Sequence, residues 1–301
     1  MTDPTDPAPP TSSPPLRIGV IGGGPWARET HIPALAAHPG VTLTGVWTRR
    51  PAAAAELPTP RFDSVEALFE ACDAVSFAVP PQVQAQVAIA AARAGKHVIL
   101  DKPIAGDLDT ARALATAIAE ADVRSVVTFT RRFAPETKQF VAAARAGRYG
   151  GGMARWISGA LLAEKYAGSQ WRHDHGAILD IGPHVFDLLD AALGPITAVV
   201  DACHVGDGDL WQVTLDHQTG ATSVAQMALK VPARPTVNEF SVHGVDGVVS
   251  LTGRVTESPA CFAVLIDEFL AAVATGTEHE LNVQRGLHIQ QIIESVRDRV
   301  R

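Results

Sequence analysis

The sequence predicts a doubly wound α/β unit followed by an α+β unit with a predominantly antiparallel open sheet. Three observations predict it. Between Leu16 and Thr130, short and almost wholly apolar β-branched runs alternate with alanine-rich helical stretches, as parallel strands covered on both faces require. A glycine-rich turn, Gly22-Gly23-Gly24, follows the first of those runs and opens a helix. Beyond about residue 195, strand-like runs follow one another through short polar or glycine turns such as Gln218-Thr219-Gly220, the spacing of hairpins.

Met1 to Pro15 carries proline at 4, 7, 9, 10, 14 and 15 and has nothing apolar to bury, so it reads as a disordered tail. It lacks the basic and apolar regions of a secretory leader. Then come a strand Leu16–Ile21, a helix about Ala27–Ala37, a strand Val41–Trp47 and a helix near Ala52. Asp63, with Glu66 three residues on, predicts the start of another helix. Strand Ala74–Val79, helix Gln82–Ala94, strand His97–Leu100, helix Leu108–Ala121 and strand Ser125–Thr130 complete a Rossmann-type unit over 16–130. The α+β unit, 131–301, opens with a helix Pro135–Ala146 that ends in the glycine-rich Gly147–Gly152. A strand Ala154–Leu162 and a helical stretch Ala177–Leu193 follow. Strands are expected at Ala198–His204, Leu210–Asp216, Thr222–Leu229, Val237–His243 and Gly247–Leu251, and helices about Phe262–Thr275 and Val283–Val296 close the chain.

Composition narrows the function classes. Asp plus Glu outnumber Lys plus Arg by 32 to 25, a net charge of -7, which argues against nucleic acid as a partner. Hydrophobic residues at 47% against 19% charged exclude a disordered chain. No uninterrupted apolar run approaches the roughly 18 residues of a membrane span, so no membrane partner is expected. Cys72, Cys203 and Cys261 are too scattered for a disulfide framework or a zinc site, which points to a reducing cytoplasm. His173-Asp174-His175 imitates a metal cluster, but three adjacent side chains do not converge on one ion; a pocket-lining loop is expected there, and no metal.

Gly22, Gly24 and Ala27 fit G-x-G-x-x-G/A in the strand–turn–helix setting that gives the motif meaning. Gly22 permits the turn, Gly24 lets backbone approach a pyrophosphate, and Ala27 allows close helix–strand packing; the phosphates meet the positive end of the helix. Pro25 and Trp26 belong to the same turn, and Trp26 either packs on the cofactor or serves the fold. At the end of the second strand, where an acid would bind the ribose hydroxyls of NAD, stand Thr48, Arg49 and Arg50. A hydroxyl and guanidinium groups suit a 2′-phosphate, so NADP(H) is favoured, with NAD(H) as the alternative. His31, on the first helix, reads as structural.

Gly95-Lys96-His97-Val98-Ile99-Leu100-Asp101-Lys102-Pro103-Ile104 resembles the "GKHV…EKP" signature of the Gfo/Idh/MocA oxidoreductase family. Arg131-Arg132-Phe133-Ala134-Pro135 resembles that family's entry to its second domain, Gly176–His184 its "GG-x-L-x-D-x-G-x-H", and Val79-Pro80-Pro81 its turn after the fourth strand. The resemblance spans about residues 16–296 and implies an active site between the two halves, with Lys102, Asp180 and His184 as the catalytic group. It also implies cofactor contacts at Val79, Pro80, Asp101 and Lys102, a substrate contact at Arg132, and a homodimer or homotetramer. The chain departs from the pattern at Asp101, where Glu is usual, at Gln84, often His, and at His175-Gly176, which replaces a longer glycine run.

The residues themselves suit the chemistry of an alcohol. Removing a hydroxyl proton as hydride leaves carbon calls for a base, and a neutral imidazole at His184 is the natural one. On a continuous helix Asp180 and Asp187 would flank it at i−4 and i+3; Pro183 means that the helix either kinks there or begins there. Lys102, at the carboxyl edge of a parallel sheet, would hold the substrate oxygen and share the proton. Trp171 and Arg172 are expected beside the substrate. Alternation at Val213, Leu215, Val224 and Gln226 predicts a sheet with one face on helices and the other against a second subunit or solvent. The expected protein is an NAD(P)-dependent oxidoreductase acting on a CH–OH or C=O group of a sugar, cyclic polyol or related small molecule. A non-catalytic dinucleotide-sensing regulator and an inactive partner subunit are the alternatives.

Overall fold

In the computed structural model, five parallel strands stand in the order β2-β1-β3-β4-β5: β1 (Leu16–Ile21), β2 (Val41–Trp47), β3 (Ala74–Phe77), β4 (His97–Leu100) and β5 (Ser125–Val127). The structure describes residues 14–50, 57–163 and 170–300; most of the proline-rich segment and the helix expected near Ala52 lie outside the described residues. Ile18, Val20, Val75, Phe77, Val98 and Ile99 are wholly buried, which is why these strands read as near-continuous apolar runs. Strand order reverses direction between β1 and β3, and the carboxyl ends there open the crevice in which ligands of such sheets bind. Beyond Val127 two tight turns, Phe129 N–H to Val127 O and Thr130 N–H to Thr128 O (both 2.7 Å), end β5 sooner than its β-branched run suggested.

The helices of this half are α1 (Ile32–Ala37), entered through a π-helical turn Ala27–His31, then α2 (Val65–Ala71), α3 (Pro81–Arg93) and α4 (Leu108–Glu120). The cap of α2 is Ser64, not Asp63: its hydroxyl accepts from Ala67 N–H at 3.1 Å, one residue later than the acid spacing predicted. Asp107 caps α4 in the same way, through Thr110 N–H at 2.7 Å.

His31 ends the π-helical turn fully buried, with Nδ1 2.8 Å from the Ser76 hydroxyl and its ring centroid 4.4 Å from that of Phe262. Burial pushes its pKa down to about 3, so the folded protein holds it neutral. An unfolded chain protonates it near its ordinary value of 6.5. Its contribution to stability is therefore whole above pH 6.5 and is lost as pH falls from there toward the folded value, at about 1.4 kcal/mol per pH unit. Urea unfolding at stepped pH is expected to show that slope, and His31→Asn to flatten it; an equal slope in both proteins would contradict the assignment.

The second sheet has six strands in the order β11-β10-β6-β9-β8-β7: β6 (Tyr149–Ile157), β7 (Ile196–Val205), β8 (Leu210–His217), β9 (Thr222–Ala228), β10 (Val237–Gly244) and β11 (Gly247–Thr252). Every pair is antiparallel except β6–β9, so the sheet is mixed at one seam. β6 starts earlier than expected and takes in glycines that read as a helix-ending loop. A Cβ on Gly151 would stand 2.4 Å from His243 Nε2, and one on Gly152 2.7 Å from Leu193 Cδ1, so these glycines make room for side chains crossing the strand.

Around it lie α5 (Pro135–Ala146), α6 (Gln170–Asp180), α7 (Gly182–Leu193), α8 (Ser258–Thr275) and α9 (Val283–Arg299). The last two return to the first half: α8 packs on α1 and the π-helical turn, and α9 packs on α4, α7 and β5. Val127 N–H donates to Leu281 O at 2.7 Å beside this junction. α8 is long and apolar enough to cross a membrane even though Asp267 and Glu268 interrupt its apolar sequence. Here its Cys261, Phe262, Leu265, Ile266 and Phe269 are buried in protein.

Candidate active site

Gly22 has φ +126°, and a Cβ there would lie 2.3 Å from Ala78 O, so the turn admits only glycine. A Cβ on Gly24 would meet nothing within 4 Å: the backbone there faces open space of the kind a pyrophosphate needs. Arg28 Nε pins the turn by donating to Gly23 O at 3.0 Å, and buried Ala27 packs the following helix against the sheet. Val79 flanks Gly22, its Cγ1 3.2 Å from that notional Cβ, and Pro80 leads into α3. Parallel pairing of Ile21 with Trp47 brings the segment Thr48–Arg50 alongside the glycine turn. There Thr48 accepts from Arg50 N–H at 3.4 Å, and both Arg49 and Arg50 are exposed, as is Pro25. These residues fit a nicotinamide dinucleotide.

The loop after β4 is clamped from beneath by Gln84, a residue that the sequence marked only as a departure. Wholly buried, it accepts from Asp101 N–H at 2.7 Å and donates to Asp101 O at 2.7 Å and Ile104 O at 3.1 Å. Asp101 Oδ1 accepts from Lys102 N–H at 2.8 Å and the Thr128 hydroxyl at 2.7 Å; burial pushes its carboxyl up against the pull of Lys102. Held this way, Lys102 extends to the other half of the molecule. Its Nζ donates to Asp180 O at 2.7 Å and Asp180 Oδ1 at 3.2 Å. Arg172 Nε takes Asp180 Oδ2 at 3.1 Å. Burial alone would raise the Asp180 carboxyl, but Lys102 and Arg172 outweigh it and hold it below its ordinary range.

The helical stretch expected over Ala177–Leu193, with a kink or a new start at Pro183, falls in two helices. Gly176 sits at φ +58° with the Asp209 carboxylate 2.4 Å from where a Cβ would be, and Asp209 accepts from Ala177 N–H at 2.7 Å. A second break at Ile181 starts α7 afresh, with Pro183 in its first turn. Asp180 thus ends one helix with its carbonyl free for Lys102, while His184 begins the next.

The flanking carboxylates expected for His184 are elsewhere. Asp180 is taken by Lys102 and Arg172, and Asp187 is buried against Arg132 and Arg285. His184 instead stacks on Trp156 (centroids 5.8 Å, 27°) and meets Phe129 edge-on (6.4 Å, 81°), with Nδ1 buried and without a partner. Burial first, then Lys102, push its pKa well below 6.5, so the imidazole is neutral.

A cavity of about 440 Å³ joins these groups, with Trp26, Asp101 and Lys102 on one wall and Arg131, Trp156, Arg172, Asp180, His184, Asn238 and Arg254 on the others. Arg132 is not among them. The 3-10 turn Thr130–Phe133 sends Arg131 to the cavity and Arg132 inward, where it meets both Asp187 oxygens at 3.1 Å and Glu280 at 2.8 Å. Trp171 likewise turns away, packing on His175 with centroids 5.4 Å apart. His173-Asp174-His175 lies in α6 rather than in a loop, and among the described residues no group of three metal-ligating side chains converges. Sequence reasoning missed Trp156, Asn238 and Arg254, which stand on β6, on β10 and just after β11 without a local motif.

Residues 16–129 match the family model described as oxidoreductase family, NAD-binding Rossmann fold, and residues 137–250 match the GFO/IDH/MocA C-terminal domain. The putative oxidoreductase YceM of Salmonella typhimurium is 35% identical over 202 residues, 65% of this chain and 56% of that protein. The levoglucosan dehydrogenase of Pseudarthrobacter phenanthrenivorans is 32% identical over 58% of this chain and 54% of its own, so these two matches span only about half the length of those relatives. The 1,5-anhydro-D-fructose reductase of Ensifer adhaerens is 30% identical over 265 residues, 81% of this chain and 78% of that one. Among solved structures, GenD2 from gentamicin A biosynthesis in complex with NAD superposes with a TM-score of 0.82 at 19% identity, over 98% of this chain and 97% of its own. KijD10, a 3-ketoreductase from Actinomadura kijaniata in complex with NADP, gives 0.77 at 22% identity over 95% and 98%. Both share this fold throughout. The chain belongs to the Gfo/Idh/MocA oxidoreductase family.

Proposed function

We propose that the protein transfers hydride between the nicotinamide of NADP(H) and a CH–OH or C=O carbon of a sugar, cyclic polyol or related small molecule. One observation carries the reading: Lys102 from one half meets Asp180 of the other on a cavity that His184 also lines, with Trp26 of the glycine turn in its wall. The bound nicotinamide supplies the hydride donor or acceptor. Backbone at Gly22–Gly24 and the start of the next helix hold the pyrophosphate, and Thr48, Arg49 and Arg50 hold the 2′-phosphate.

Lys102 carries the proton. Both of its contacts are on Asp180, which leaves a third N–H for the substrate oxygen. In carbonyl reduction that N–H steadies the developing alkoxide and gives up its proton; in alcohol oxidation the path runs backwards. Asp180 and Arg172 keep the amine in place. His184, neutral and with no carboxylate behind it, accepts a hydrogen bond from a substrate hydroxyl and leaves the main proton transfer to Lys102. The same reading takes the protein as a cytoplasmic homodimer or homotetramer joined through the sheet face that exposes Met153 and Val248.

Fluorescence titration tests the cofactor, and absorbance of the reduced nicotinamide across a panel of sugars and polyols tests turnover. NADPH is expected to bind about tenfold tighter than NADH, the worth of one charge-assisted contact, and Arg49→Asp to erase the difference. Equal affinities in the unmodified protein would contradict the charge argument. Cofactor binding without turnover on any sugar or polyol would point to the sensing or partner-subunit alternatives.

A further inference from the structure

Arg131 is only 6% exposed: one nitrogen donates to Gly253 O at 2.8 Å, and Nε is buried without a partner. Arg254, next along from that carbonyl and itself exposed, hydrogen-bonds the Ser258 hydroxyl on the same cavity wall. Ser258 opens the 18-residue helix α8, whose first turn has no side-chain cap. Glu136 is committed to the loop beside them, accepting from Val255 N–H at 3.3 Å, Thr256 N–H at 2.9 Å and the Thr256 hydroxyl at 2.7 Å, and Glu257, the residue before Ser258, is exposed. Asn238 on β10, 6% exposed and lining the cavity, has among the described residues no hydrogen-bond partner for either its side-chain oxygen or its nitrogen.

Elsewhere in the cavity Asp180 serves Lys102 and Arg172, while Asp101 is tied to the Lys102 backbone and Thr128. The cavity is thus lined by Lys102, Arg131, Arg172 and Arg254 against only Asp101 and Asp180. A neutral sugar would leave the two neighbouring guanidinium groups offset by Glu136, itself bonded to the loop, rather than by a partner in the cavity, and Asn238 unpaired, both costly once water is expelled.

Resting on the oxidoreductase reading, we propose that the substrate is a sugar acid whose carboxylate sits on Arg131 and Arg254 at the start of α8, with the reacting carbon's oxygen at Lys102. Asn238 then pairs with a hydroxyl between the two ends. In oxidation the carbon gives its hydride to the oxidised nicotinamide and the hydroxyl proton leaves through Lys102 to water; the carboxylate keeps its charge and composition. A phosphate ester would present the same anionic chemistry to the same seat.

The test uses the full-length protein loaded with NADP(H) and pairs of sugars that differ in the anionic group: galactose with galacturonate, glucose with glucuronate, and glucose 6-phosphate as the phosphate arm. Initial rates and quenching of tryptophan fluorescence, Trp26 and Trp156 being in the cavity wall, are the two readouts. The uronates are expected to exceed their neutral partners in kcat/KM by roughly tenfold or more, chiefly through KM, and Arg254→Gln or Arg131→Gln to remove most of that preference. Arg254→Lys should restore part of it, since charge returns without the fork. A phosphate preferred over the uronates supports the seat and assigns phosphate as its ligand. Equal efficiency on neutral and acidic sugars, or a preference unmoved in both glutamine variants, overturns the proposal. No turnover on any sugar, with acid-specific quenching lost in Arg254→Gln, overturns the oxidoreductase reading and keeps the anion seat; no quenching by any acid overturns the seat.

Discussion

Lys102→Ala is expected to lower kcat by about 10²–10⁴-fold, the range of a positioned proton donor, and to change KM far less. The amine lies in a cleft where its two present bonds, at 2.7 and 3.2 Å, both go to Asp180, so it is oriented before substrate arrives. On the proposed mechanism, removing it takes away the proton path and the contact that steadies charge on the substrate oxygen. It also leaves Asp180, among the described residues, with Arg172 as its remaining ion-pair partner, so its carboxyl rises from its depressed position and the acid limb of the pH–rate profile moves to higher pH. His184→Asn should act mainly on KM, because an imidazole held neutral by burial contributes a hydrogen bond rather than a charge. Single-substitution kinetics on a turned-over substrate check both. A Lys102→Ala enzyme within tenfold of the parent kcat would remove Lys102 from the mechanism.

Asp187→Ala is expected to destabilise the fold by about 3–5 kcal/mol, a large share of the roughly 5–15 kcal/mol that a domain has. Asp187, 1% exposed, receives Arg132 at 3.1 Å on both oxygens and Arg285 Nε at 2.7 Å, while Arg285 also donates to its carbonyl at 2.8 Å. One helical turn on, Asp190 shares Arg285, accepts from Ile196 N–H at 2.7 Å and pairs with His288 at 2.7 Å. The cluster ties α7, which carries His184, to α9 and to the turn that presents Arg131. Without Asp187 the two guanidinium groups face each other across a dry gap, with Asp190 and the exposed Glu280 as their remaining acidic partners. Asp187→Asn keeps one acceptor oxygen for the guanidinium groups and should lose less. Urea unfolding measures both variants, and a loss below about 1 kcal/mol for Asp187→Ala would show that the cluster is not what fixes α7.

Local chemistry was legible. β1, β2 and β4 and helix α5 have the bounds that their apolar periodicity and turn residues predict, and the glycine turn stands where its motif places it. Those signals depend on neighbours within a few positions, so the chain alone carries them. The resemblance to the Gfo/Idh/MocA pattern singled out Lys102, Asp180 and His184, and the three line one cavity.

Which charges meet was not. Lys102 and Asp180 bond across 78 positions, and Arg285 reaches Asp187 across 98. Adjacent Arg131 and Arg132 look alike in sequence, yet a 3-10 turn points one into the cavity and the other into the core. The sequence by itself determined most of the elements and the glycine turn, because backbone preference and periodicity act locally. Only the tertiary structure decided that Asp180 serves Lys102 rather than His184, and that Gln84, Asn238 and Arg254 belong to the site. Coulomb and hydrogen-bond energies depend on separation in space, which packing sets.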